Sequence, residues 1–184
     1  SIGTASFSTT QIVHPGIVSY SALTATVVEG ATKTITVTRS SGSDGHITGN
    51  LFYGGDATKD TDYTAPDTFV LGDGEASTTF NVVTVDDIIE DGQSESATIT
   101  IRTISYSLAD SLYNPTASIN AVRDTFTLTI TDNETGSLNF STVSSSLKQP
   151  GSGTPNTLTI TVERSGGVDF AAEATITQVG GTAT

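Results

Sequence analysis

The chain has 184 residues, with seven Lys plus Arg against 20 Asp plus Glu, a formal charge of −13 and no cysteine. That balance argues against a nucleic-acid backbone or direct insertion into an anionic membrane, and for plain solubility or cation binding. It also excludes disulfides, thiol nucleophiles and thiolate metal sites, so a secreted chain of this kind needs another staple, and a metal ion is the usual substitute.

No stretch approaches 18 apolar residues, and residues 1–10 have neither a basic head nor an apolar core, so neither a membrane span nor a signal peptide is read here. The first residue is Ser rather than Met, as expected of an excised piece of something longer. Thr occurs 35 times while Met and Trp are absent, which favours strands because a β-branched side chain suits a pleated sheet.

In chain order, residues 11–23, with His14-Pro15-Gly16, form a lead-in longer than the following strands require. Residues 34–38 alternate Thr with Ile35 and Val37, the pattern of a half-buried antiparallel strand. Residues 79–85 are irregular, since Phe80 and Val82 share one parity and Val83 and Val85 the other; a bulge near Val82 or burial on both faces would account for it. Clean alternation returns at residues 97–101 and 126–130, separated by a long excursion from Ser105 to Ala121. It recurs at residues 158–162, with a further strand expected over 174–179. Gly- and Asp-rich turns such as Leu71-Gly72-Asp73-Gly74 punctuate these runs. The fold class expected is all-β, an immunoglobulin-like antiparallel β-sandwich of about seven strands.

An internal repeat is visible. Residues 3–9 recur as 136–142, residues 34–40 as 159–165, and residues 54–58 as 180–184. Half a sandwich cannot bury its own apolar face. The expected organisation is therefore a sandwich over residues 1–135 with an extended lead-in, then an incomplete second repeat over 136–184, within a tandem array whose neighbouring repeats are its partners. Ile160 and Val162 lack covering strands in this half-module, so self-association through residues 136–184 is also expected.

Acidic residues gather at element ends: Glu29, then Asp60 and Asp62, then Asp86-Asp87-Ile88-Ile89-Glu90-Asp91, and Asp132-Asn133-Glu134. Taken singly, acidic turn residues are ordinarily solvated turn formers. Converging carboxylates, however, repel one another unless neutralised, and an all-oxygen supply without imidazole or sulfur suits Ca²⁺ better than Zn²⁺ or Mg²⁺. His14 and His46, the two histidines, show no ligand spacing, and the serines form no nucleophile elbow.

Val28-Glu29-Gly30, residues 34–39, residues 57–63, Phe69 to Glu75, Val85 to Glu90 with Glu95, and Leu128 to Glu134 occur in an order that resembles the Calx-β domain family. The resemblance covers about residues 24–134, and the opening Ala5-Ser6-Phe7-Ser8 looks like that family's first strand. It implies a calcium-binding sandwich end, with Glu29, Asp62, Asp86, Asp87, Glu90 and Asp132 as ligands; Glu95 and Glu134 stand at the margin of that set. The second copy has Pro155 near the position of Gly30 and no counterpart of Glu29. The function expected is a non-enzymatic, calcium-binding structural module of a repetitive extracellular or cell-surface protein. The alternatives are a calcium-independent spacer or assembly subunit, and a carbohydrate- or protein-recognition module using the 105–121 excursion with Tyr106 and Tyr113.

Overall fold

The computed structural model describes residues 12–87, 94–108, 115–134, 136–141, 159–166 and 172–177. These fall into two compact units, the first running to Asp86 and resuming from Ser94 to Thr131, the second taking Asp87 and the described residues after Thr131.

Alternation governs the first unit. Its strands are β1 (Ile17–Tyr20), β2 (Thr24–Val28), β3 (Thr32–Ser40), β4 (His46–Gly55), β5 (Tyr63–Thr64), β6 (Thr68–Leu71), β7 (Ser77–Thr84), β8 (Glu95–Ser107), β9 (Ser118–Ile119) and β10 (Thr125–Thr131), with no helix among the described residues. They form two five-stranded sheets, β5-β7-β3-β1-β9 and β2-β10-β8-β4-β6. Ile35 and Val37 of β3, Ala97, Ile99 and Ile101 of β8, and Phe126, Leu128 and Ile130 of β10 all enter one core, as the period-two pattern requires. Intervening hydroxyls pair across strands on the other face, Thr100 with Thr125 at 3.1 Å and Thr34 donating to Asn81 at 2.8 Å. The expected all-β sandwich is the observed fold; it exceeds seven strands because β5 and β9 are two-residue additions and the lead-in is itself split in two.

That lead-in is structural. β1 pairs antiparallel with β3, and Ser21 N–H makes a last bond to Thr36 O at 3.1 Å; two residues later Leu23 O accepts from Thr127 N at 2.8 Å, in the other sheet. The chain thus changes sheets over residues 21–23 and runs on as β2. Arg123 pins the step, its side chain donating to the carbonyls of Tyr20 (3.1 Å) and Ser21 (2.6 Å). Because the chain keeps its direction through the step, β2 lies parallel to β10; β1 is likewise parallel to β9, so two parallel pairings interrupt an otherwise antiparallel sandwich.

The expected irregularity near Val82 is absent. β3 and β7 pair in continuous register from Thr32↔Val83 to Thr38↔Ser77, with Phe80, Val82 and Thr84 buried while Val83 and Val85 are exposed. The third inward position is thus a Thr, which the apolar pattern could not signal. A register shift falls instead between β4 and β8 at Asn50/Leu51. In the 105–121 excursion, residues 105–107 continue β8 and Ser118–Ile119 form β9, whereas residues 109–114 lie outside the described set.

The second unit holds β11 (Ser137–Phe140) and β12 (Val162–Ser165), paired antiparallel. The strand expected at residues 158–162 begins later, at Val162, and residues 174–177 are not strand. Ser137↔Ser165 and Phe140↔Val162 reproduce Ile17↔Ser40 and Tyr20↔Val37 of β1 and β3. Ser141 N–H to Thr161 O at 3.0 Å likewise matches Ser21 to Thr36. Each repeat strand exits through positive φ, at Ser41 (62°) and Gly166 (82°). β11 therefore stands in relation to β12 as β1 does to β3; residues 3–9, which residues 136–142 match in sequence, lie outside the described set.

At the other end of β3, Arg39 is buried among backbone carbonyls. Its guanidinium donates to the carbonyls of Ser43 and Gly45, both at 2.9 Å, and of Pro15 and Asp44. It thereby satisfies backbone groups of two loops at once. Arg39→Met should destabilise the chain by about 2–4 kcal/mol, because the carbonyls lose their donors without regaining water. Urea unfolding checks this, and Arg39→Lys should recover only part of the loss.

Candidate metal centre

The acidic end is assembled by backbone bonds. The turn from β2 to β3 is Val28-Glu29-Gly30-Ala31, closed by Ala31 N–H to Val28 O at 3.3 Å, with Gly30 at φ 67°. Against it lies the end of β7. Thr84 N–H donates to Ala31 O at 2.9 Å, and the buried Thr84 hydroxyl accepts from Ala31 N at 3.1 Å. Its single proton is within reach of two turn carbonyls, Ala31 O at 2.9 Å and Val28 O at 3.0 Å. Glu29 N–H donates to Thr131 O at the end of β10, and Val85 N–H to Asp62 O before β5. Four separate segments are therefore fastened at one end of the sandwich.

Two predicted ligands meet there. Glu29 follows β2 directly, and Asp86 continues the inward parity of Phe80, Val82 and Thr84 just past the strand. Their carboxylate oxygens lie within 4.8 Å of one another. Gly30 is what permits this approach: a Cβ there would stand 3.0 Å from Asp86 Cβ and 3.2 Å from its Cγ and Oδ1. Two carboxylates so close repel by roughly 1 kcal/mol in water and several times that where water is thinned. An all-oxygen pair on a backbone-fixed frame fits a hard cation such as Ca²⁺, which would neutralise the repulsion.

The remaining predicted ligands are placed differently. Asp62 accepts from Thr58 N at 2.6 Å through Oδ2 and returns its own N–H to Thr58 O at 2.9 Å, so its carboxylate caps a local turn and does not join Glu29 and Asp86 within that distance. Asp87 is exposed. Glu90 lies outside the described residues. Asp132 belongs to the second unit, where its Oδ1 accepts from Glu134 N at 2.8 Å. The Glu134 carboxyl is pushed above its ordinary value, first by a side-chain hydrogen bond with Asp132. Glu95 is the first residue of β8, opposite Ile130.

Sequence reasoning passed over Gly30 and Thr84. The parity of Phe80 and Val82 was the available signal for Thr84, masked by the exposed valines beside it.

No family model matches the chain, and no curated protein matches it. Among solved structures, the CBD2 domain of Calx superposes with TM-score 0.55 at 15% identity over 64% of this chain and 87% of that one. The apo form of the Calx CBD1 domain gives 0.53 at 18% identity over 64% and 96%. The calcium binding domain CBD12 of CALX1.1 gives 0.50 at 17% over 63% and 44%. Likeness at these identities establishes a shared fold.

Thr84→Val should cost about 1–3 kcal/mol, since an isosteric methyl removes the hydroxyl that bonds Ala31 N–H at 3.1 Å and reaches the turn carbonyls, leaving the longer Ala31–Val28 bond to close the turn. Gly30→Ala should cost about 1–2 kcal/mol through its left-handed φ and the contact with Asp86. Denaturant unfolding with chelator present measures both without any contribution from bound ions.

Proposed function

We propose that this chain is a calcium-binding, non-enzymatic structural module of a repetitive extracellular or cell-surface protein, in which Ca²⁺ rigidifies the acidic end of the sandwich. The observation that carries the reading is the approach of Glu29 and Asp86 on a frame locked by Thr84, in a sandwich sharing its fold with the calcium binding domain CBD12 of CALX1.1. Neighbouring repeats as partners are supported by the duplicated β1–β3 register in β11–β12. Placement at the surface rests on composition: Thr-rich, acidic and free of cysteine. The recognition-module alternative loses one support, because Tyr106 packs against the core cluster; Tyr113 lies outside the described residues.

An ion that binds only the folded form at about 100 times its Kd adds roughly 2.7 kcal/mol. The melting temperature should therefore rise on going from excess chelator to millimolar Ca²⁺. An unchanged value across that range would put the calcium-independent spacer first. In titration calorimetry Asp86→Asn should lower calcium affinity by about tenfold or more, while Glu95→Gln, at the start of β8, should change it less.

A further inference from the structure

The turn that carries Glu29 and the strand end that carries Asp86 are joined through one residue. The β3–β7 ladder ends at Thr32↔Val83, short of both carboxylates. Beyond it the turn is fastened to β7 by Thr84, whose N–H donates to Ala31 O at 2.9 Å and whose Oγ1 accepts from Ala31 N at 3.1 Å. The second of these is shorter than the 3.3 Å bond from the same Ala31 N–H to Val28 O that closes the turn. The Oγ1 proton has Ala31 O at 2.9 Å and Val28 O at 3.0 Å as acceptors. Val28 and Ala31 bracket Glu29 and Gly30, while Thr84 stands two residues before Asp86 in the same parity.

At 4% exposure, Thr84 fills an inward position that a Val would occupy with the same shape and no polar atom to satisfy. What the hydroxyl adds is a grip on the turn. With no ion bound, the Glu29 and Asp86 carboxylates, whose oxygens lie within 4.8 Å of one another, repel and push the turn away from the strand. Two oxygens that share a Ca²⁺ at about 2.3–2.6 Å each can be no more than about 5 Å apart, so a turn that swings outward is no longer a site. An ion that finds only a fraction of the molecules in the competent arrangement binds more weakly in proportion. We propose that Thr84 is a positioning residue for the ion, its hydroxyl holding Glu29 at ligand spacing from Asp86 before the ion arrives. This role rests on calcium as the occupant of the pair.

Three variants of the full chain separate positioning from stability. Thr84→Val keeps the shape and removes the hydroxyl, Thr84→Ser keeps the hydroxyl, and Val82→Ala weakens the same strand from a fully buried position opposite Lys33, further into the ladder. Titration calorimetry with Ca²⁺ should give Thr84→Val an affinity lower by about tenfold or more, Thr84→Ser one within about threefold of the unaltered chain, and Val82→Ala no change despite its lost stability. A second readout needs no ion. The Glu29 N–H bonds to Thr131 O rather than to Thr84, so its exchange with solvent reports movement of the turn. In excess chelator that exchange should be faster in Thr84→Val than in Val82→Ala, and millimolar Ca²⁺ should slow it again. Equal calcium affinity in Thr84→Val and the unaltered chain overturns the positioning role, as does a loss in Val82→Ala that matches the loss in Thr84→Val. An unaltered chain that binds no calcium, by calorimetry and by melting alike, overturns the calcium reading itself and this role with it.

Discussion

The obligation to bury one face of each Thr-rich sheet is the constraint from which the first unit follows. Strands β3, β8 and β10 place apolar residues at every second position and mainly Thr between them, so each sheet has one face suited to water and one that is not. Burying a Val, Leu, Ile or Phe side chain contributes about 1.5–3 kcal/mol, and no single sheet can do so alone. Two stacked sheets answer this, and the change of sheet at residues 21–23 lets one length of chain serve both. Arg123 holds that step because a chain crossing between layers would otherwise leave the carbonyls of Tyr20 and Ser21 without donors.

The carboxylate pair at the end of the sandwich is a consequence of how such strands end. Alternation carries an inward position past the apolar core to Thr84, where a hydroxyl can answer the backbone of a tight turn, and then to Asp86, beyond the core. On the facing turn, Gly30 takes a left-handed φ that also removes the Cβ which would meet Asp86. Glu29 sits beside it because β10 accepts its N–H. The approach of Glu29 and Asp86 is therefore framed by ladder and turn bonds, and groups held on a fixed backbone lose little entropy on binding.

What could be read from the sequence divides along the same line. Period-two runs were legible at residues 34–38, 97–101 and 126–130, because every inward residue there is apolar and every outward one polar. Residues 79–85 were misread because Val83 and Val85 face water and Thr84 faces in, which reverses the usual correspondence of hydropathy and burial. β1 was hidden for a different reason: its Ile17, Val18, Ser19 and Tyr20 do not alternate cleanly, and its pairing with β3 depends on a partner far along the chain. Glu29 and Asp86 were legible as acidic residues at strand ends. The local turn that engages the Asp62 carboxylate was not, since an Asp before an aromatic residue has the same spelling whether it faces an ion or its own backbone.

The duplicated ladder separates two kinds of information that a complete domain mixes. Val37-Thr38-Arg39-Ser40 and Val162-Glu163-Arg164-Ser165 take up the same register with strands of different sequence, Ile17-Val18-Ser19-Tyr20 and Ser137-Leu138-Asn139-Phe140. What the two ladders share is the Val-x-Arg-Ser strand and a residue able to adopt the exit φ. Burial is specified elsewhere, by the opposing sheet. Tyr20 and Phe140 hold equivalent positions, yet one has lost all contact with water and the other half of it remains. A two-stranded ladder is marginal in water without a covering layer, so the second unit carries the pattern of a sandwich while its apolar face still depends on a surface that the ladder itself does not supply.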